Sequence, residues 1–190
     1  MQMGMIGLGR MGADMVRRLM RGGHECVVYD LNADAVARLS NEGARGASSL
    51  VAFADMLSKP RVAWLMVPAM ADEQVAEDLS QRFEPGDIIV DGGNSHYVDD
   101  IRRAKVLATR RIQYVDVGTS GGVWGLDRGF CQMIGGDSEV VKHLDPLFAA
   151  LAPAAGSAPR TPGRDGANRG TAERGYLHCG PSGAGHFVKM

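Results

Sequence analysis

Cysteine is scarce in this chain: Cys26, Cys131 and Cys179 are the only three, an odd number with no C-x-x-C spacing. That pattern argues against a disulfide framework and gives no support for a structural zinc site or any other metal centre. It reads as free thiols in a reducing compartment. Long apolar runs are missing as well. None approaches the ~18 residues that a membrane-spanning helix needs, and strand-like residues begin at once, with no secretory leader pattern ahead of them. Net charge is nearly absent, at −1. No global field therefore points to nucleic acid or a membrane surface, and an anionic ligand has to be held by local groups. The expected location is the cytoplasm.

What is present is glycine, 26 residues of it in 190, within an otherwise ordinary globular composition of 45% hydrophobic and 23% charged residues. The stretch around which the rest is arranged is Met5 to Gly12, where Gly7, Gly9 and Gly12 fall at G-x-G-x-x-G spacing. An apolar run, Met3 to Ile6, precedes it, and Met11, Met15, Val16, Leu19 and Met20 follow at helical spacing. A strand, a glycine turn and a helix N-terminus in that order form a cradle for a pyrophosphate. Gly7 permits the tight turn, Gly9 lets backbone approach the phosphates, and Gly12 lets the helix lie close on the sheet.

Strand-like and helix-like segments then alternate. Glu25–Tyr29, Arg61–Val67, Asp87–Asp91 and Gln113–Val117 read as strands, with Phe130–Ile134 as a further one. Helical patterns fall between them: Ala33–Ser40 capped by Asn32, one capped by Ser48 or Ser49, Asp72–Arg82, Tyr97–Thr109 and Ser138–Ala152. This rhythm predicts an α/β fold, a doubly wound Rossmann-like sheet, mostly parallel, with helices on both faces. Residues 1–152 form the predicted dinucleotide-binding domain. From 153 to 179 periodicity is lost and the segment reads as an irregular linker or surface stretch. Residues 180–190 look like the opening of a helix that begins a further, truncated domain.

Ligands of such sheets sit beyond the carboxyl ends of the strands, and the chemistry-bearing loops fall there. Asp30 lies 18 positions after Gly12 (30 − 12), where a carboxylate accepts from the ribose 2′-hydroxyl of NAD and repels the 2′-phosphate of NADP. No arginine follows at positions 31 to 33, so NAD is favoured over NADP. Asn94, in Asp91-Gly-Gly-Asn-Ser95, offers a donor and an acceptor to a polar ligand, or makes an Asx-type turn. Ser120 with the N–H groups of Gly121 and Gly122 can form an anion nest, or a flexible loop. Lys189 in a partly dry site can serve as a base near neutrality. His186 reads as a capping or packing histidine.

Taken together, these stretches resemble 6-phosphogluconate dehydrogenase, the decarboxylating enzyme, in its shorter, NAD-preferring branch. The resemblance is carried by Gly7 to Gly12, Leu65-Met-Val-Pro-Ala69, Asp91 to Ser95, Val117-Gly-Thr-Ser-Gly-Gly-Val-Trp-Gly125 and Gly183-Ala-Gly-His-Phe-Val-Lys-Met190. It implies that Gly7, Leu8, Gly9, Arg10, Met11, Gly12 and Asp30 hold the dinucleotide, and that Val67, Pro68 and Ala69 line the nicotinamide side. Asn94 would touch cofactor and substrate, Ser120, Gly121 and Gly122 would bind the sugar acid 6-phosphogluconate, and Lys189 would be the catalytic lysine, with no metal needed. The family continues past Lys-Met into a His-Asn pair, a glutamate and a helical domain that supplies most of a homodimer interface. This chain is therefore expected to bind the dinucleotide without turning over alone, with the full-length form a homodimer or larger. Another β-hydroxyacid dehydrogenase, of the 3-hydroxyisobutyrate type, shares several motifs, but Val123-Trp-Gly125 and His186-Phe-Val188 argue against it. A non-catalytic dinucleotide-binding module is the remaining alternative.

Overall fold

The computed structural model describes residues 1–153, 156 and 170–190. The chain runs β1 (Gln2–Ile6), α1 (Arg10–Arg21), β2 (Glu25–Tyr29), α2 (Ala33–Asn41), β3 (Arg45–Gly46), α3 (Leu50–Met56), β4 (Val62–Leu65) and α4 (Ala69–Ser80). It continues through β5 (Ile88–Asp91), α5 (Tyr97–Ala108), β6 (Gln113–Ser120), a 3₁₀ turn over Gly122–Trp124, α6 (Gly125–Arg128) and β7 (Cys131–Gly135). The last elements are α7 (Ser138–His143), α8 (Asp145–Leu151), a 3₁₀ turn over Thr171–Arg174, β8 (Tyr176–Gly180) and α9 (Ala184–Lys189).

The strands form one sheet in the order β3-β2-β1-β4-β5-β6-β7-β8. Every neighbouring pair is parallel except β6 with β7. The first six strands have the doubly wound 3-2-1-4-5-6 order of a dinucleotide-binding sheet. Side-chain alternation explains why both faces are covered. Along β4, Val62 and Trp64 join one core with Met3, Met15, Leu19 and Phe148, while Ala63 and Leu65 join a second with Phe53, Leu79, Ile89 and Leu107. A strand apolar on both sides needs helices on both sides: α1, α2, α7 and α8 cover the first face, and α3, α4 and α5 the second.

Local chemistry sets the helix ends. Asn32 accepts from the Asp34 N–H at 3.0 Å and Ser49 from the Ala52 N–H at 3.1 Å, ordinary side-chain N-caps. The single helix expected over Ser138–Ala152 is two, because Pro146 at the start of α8 has no N–H to continue α7. The stretch read as irregular up to Cys179 ends in a strand: β8 pairs parallel with β7 and carries the buried Tyr176 into the first core. A five-residue edge strand rich in Gly, His and Cys has little periodicity of its own, so pairing with β7 decides it. Residues 154–155 and 157–169 of that stretch lie outside the described residues. α9 lies against β6 and β7 of the same sheet. Among the described residues no helix is long and apolar enough to cross a membrane.

Candidate functional site

Residues Ile6, Leu65 and Asp91 are register partners across β1, β4 and β5, and Asp91 pairs with Asp116 of β6. The loops after these strands therefore leave from one edge. The glycine turn, the Val67-Pro68 turn, the Asn94 turn and the end of β6 share this rim. A cleft of about 820 Å³ opens there, within the range of small-ligand sites. Gly7, Gly9, Arg10, Met11, Gly12, Asp30, Val67, Pro68, Asn94 and Lys189 all line it, together with Met66, Gly92, Gly93 and Thr119.

The glycine turn is built as its spacing suggested. Gly7 has φ +91°, a left-handed value that side chains disfavour. A Cβ on Gly12 would collide with the Gly7 carbonyl, whereas one on Gly9 would meet none of the described residues within 4 Å. Gly9 stands at the N-cap of α1 without a side-chain cap, so the first N–H groups of α1 face the cleft unclaimed by a side chain and favour an anion. These features fit a pyrophosphate. Asp30 accepts from the Leu8 N–H at 2.5 Å and the Asn32 N–H at 2.8 Å. The acid at the end of β2 thus also braces the turn, and Leu8 takes part through its backbone while its side chain is buried.

At the other end, Lys189 of α9 donates from Nζ to Asn94 Oδ1 at 3.0 Å. Burial lowers the Lys189 pKa from its usual value. Ala69 begins α4 beside the lining residue Pro68 but does not line the cleft. Ser120, Gly121 and Gly122 continue from Thr119 beyond the lining; Ser120 ends β6, and Gly122 opens the 3₁₀ turn with φ +50°.

Beneath the rim lies a buried ionic cluster that sequence reasoning missed. Arg103 of α5 reaches Asp72 of α4 at 2.6 Å, Asp91 at 2.9 Å and Asp100 at 3.4 Å. The Tyr114 hydroxyl donates in this cluster, lying 3.0 Å from Asp91 Oδ2 and 2.9 Å from Asp100 Oδ1. Asp116 accepts from the N–H groups of Gly183 at 2.6 Å and His186 at 2.9 Å. One guanidinium cannot balance so many carboxylates. Burial, together with the neighbouring Asp91, pushes the Asp72 carboxyl up to about 9, and burial also raises Asp116. His186, read as a capping or packing residue, is 1% exposed and its ring sits 2.7 Å from Asp100. Ligand atoms of Asp91, Asp100 and His186 lie within 4.8 Å of one another, but Arg103 already contacts both carboxylates. The signal available in the sequence was Asp116, a charge inside the apolar run of β6.

Strand order, glycine turn and cleft together define a Rossmann-type dinucleotide-binding domain. The family pattern described as the NAD-binding domain of 6-phosphogluconate dehydrogenase matches residues 2–158, and the chain belongs to that family. It is 40% identical over 191 residues to the NAD(+)-dependent decarboxylating 6-phosphogluconate dehydrogenase of Haloferax volcanii, covering 100% of this chain and 57% of the relative. A solved 6-phosphogluconate dehydrogenase of Plasmodium falciparum superposes with TM-score 0.82 at 26% identity, covering 100% of this chain and 39% of that one. The 3-hydroxyisobutyrate dehydrogenase of Mycobacterium tuberculosis shares the fold, with TM-score 0.80 at 20% identity over 99% of this chain and 57% of that one. The chain spans 38% to 58% of the length of the first curated relatives it matches.

Proposed function

We propose that this chain is the cofactor-binding part of an NAD-dependent 6-phosphogluconate dehydrogenase, which oxidises and decarboxylates 6-phosphogluconate to ribulose 5-phosphate. The observation that carries it is the meeting of the glycine turn, Asn94 and Lys189 on one cleft, with the lysine amine 3.0 Å from the amide oxygen. Bound nicotinamide dinucleotide would supply the hydride acceptor. Gly7 to Gly12 and Asp30 hold it, with Val67, Pro68 and Ala69 on the nicotinamide side. Ser120, Gly121 and Gly122 receive the sugar acid. Lys189, its amine depressed by burial, takes the C3 hydroxyl proton as hydride leaves C3. The C–C bond to the carboxylate then breaks, carbon dioxide departs, and the electron pair moves onto the new carbonyl. Protonated Lys189 stabilises the resulting enol oxygen. In this reading the glutamate acid and the helical domain that the family resemblance implies also take part in turnover.

Calorimetric titration of this chain with NAD and NADP tests the reading. NAD is expected to bind more tightly by tenfold or more, and Asp30→Asn to narrow that gap. Saturating 6-phosphogluconate with NAD is expected to give no NADH from this chain alone. Absence of dinucleotide binding, or a preference for NADP, would overturn the assignment. The 3-hydroxyisobutyrate reading is tested by offering both acids to a full-length form.

A further inference from the structure

His186 occupies an unusual position. It sits on α9 three residues before Lys189, and its ring faces two groups on different elements. Nδ1 lies 2.7 Å from Asp100 Oδ2 on α5, and Nε2 lies 3.2 Å from the Gly93 carbonyl oxygen. Gly93 immediately precedes Asn94, whose side chain accepts from Lys189. One short helix thus grips two adjacent residues of the same turn, once through an imidazole and once through an amine. A carbonyl oxygen only accepts, and so does an ionised carboxylate. The other oxygen of Asp100 already receives the Tyr114 hydroxyl at 2.9 Å and Arg103 at 3.4 Å, so donors meet the carboxylate on both oxygens. Both bonds then require protons on both ring nitrogens.

We infer that His186 is a positioning residue: held as an imidazolium between Asp100 and the Gly93 carbonyl, it fixes the distance and direction from Lys189 to Asn94. The inference deepens the dehydrogenase reading and rests on it for the role of Lys189. Loss of the Nε2 proton would set a lone pair against the Gly93 carbonyl and release the Asn94 turn from α9.

The surroundings favour the charged ring. Asp100 and Arg103 face it from α5, Asp91 from β5, and Tyr114 and Asp116 from β6, with Asp72 of α4 behind Arg103. The titratable residues of the neighbouring β7 and β8 are Cys131, Tyr176, His178 and Cys179. Burial disfavours the imidazolium, but the Asp100 hydrogen bond and the charges of Asp100, Asp91 and Asp116 outweigh it and raise the ring's pKa above its usual value. Packing alone leaves the lysine's direction open, since Lys189 is only partly buried and Phe187 and Val188 on the same helix are exposed.

Two measurements on this chain test the inference. In a uniformly ¹⁵N-labelled sample, long-range ¹H–¹⁵N spectra read the protonation of each ring nitrogen. Both nitrogens of His186 are expected to stay protonated at neutral pH, with the Asn94 side-chain signals shifting when the ring finally titrates. A neutral ring at neutral pH would overturn the inference. The second is competitive acylation of Lys189 against pH, with Lys59, Lys105 and Lys142 as internal references. In His186→Gln, checked for folding by its amide spectrum, the Lys189 profile is expected to move by about one pH unit relative to wild type while the three references stay put. An unchanged Lys189 profile in a folded variant would overturn it; should His186→Gln not fold, the ring spectra of the wild type decide alone. Dinucleotide titration of the wild type separates the two levels, since failure to bind refutes the dehydrogenase reading and leaves the imidazolium to be decided by its own spectrum.

Discussion

At the residue scale, the three glycines of the first turn have three different physical reasons to be glycine. Gly7 needs it for φ +91°, and Gly12 for the close approach of the Gly7 carbonyl. Gly9 needs it for nothing among the described residues: its φ of −59° suits any residue, and a Cβ there would meet none of them within 4 Å. In the proposed reading the requirement at Gly9 comes from the dinucleotide that the cleft would hold. Gly9→Ala is therefore expected to leave the melting temperature within about 1 °C, and to weaken NAD binding by tenfold or more on calorimetric titration. Gly12→Ala is expected to lower stability by about 1–3 kcal/mol through overpacking. A destabilised Gly9→Ala with intact affinity would contradict this division. The glycine spacing was legible in the sequence, but which glycine answers to the fold and which to the ligand was not, because only tertiary contacts distinguish them.

At the scale of the element, α9 depends on bare backbone beneath it. A Cβ on Gly118 of β6 would stand 2.7 Å from Lys189 Cβ and 2.9 Å from the Gly185 carbonyl oxygen. A Cβ on Gly185 would stand 2.5 Å from the Met133 carbonyl oxygen and 2.6 Å from that of Asp116. The helix is seated so close to β6 and β7 that a methyl group lifts it. Gly118→Ala is expected to cost about 1–3 kcal/mol in urea unfolding and to separate Lys189 from Asn94, read as a return of Lys189 towards the ordinary lysine acylation profile. Gly118 was visible in the sequence as part of a glycine-rich loop. The strand instead runs on to Ser120, and Gly118 lies inside it, so the residue serves the helix packed above and not a loop conformation. Such a role depends on a partner 71 positions away (189 − 118), beyond the reach of local pattern.

At the scale of the whole molecule, the buried cluster links folding to pH. Folding raises His186 above its usual 6.5 and carries Asp72 from 3.8 up to about 9. Between about pH 4 and pH 9 these two groups hold more protons in the folded chain than in the unfolded one, and their contribution to stability falls as pH rises through that window. The contribution of His186 is complete below 6.5 and is lost as pH passes its folded value. The slope is at most about 1.4 kcal/mol per pH unit for each proton held. Thermal unfolding from pH 6 to pH 9 is expected to show a falling midpoint, and Asp72→Asn, which keeps shape without an ionisable group, to flatten the upper part. A wild-type midpoint that rises with pH, or an unchanged slope in the variant, would remove Asp72 from this account.

The sequence alone determined the doubly wound architecture, because alternating apolar strands and amphipathic helices leave few ways to cover both faces of a sheet. It also set the glycine turn and the acid that ends β2, since both are read from spacing within a few tens of residues of one another. Only the tertiary structure decided that Tyr176–Gly180 is a strand, that Gly118 carries a helix, and that His186 joins Asp100 to the Gly93 carbonyl. Each of these is fixed by groups on other elements, and a charge buried among charges has no local pattern by which its partners can be known until the chain brings them together.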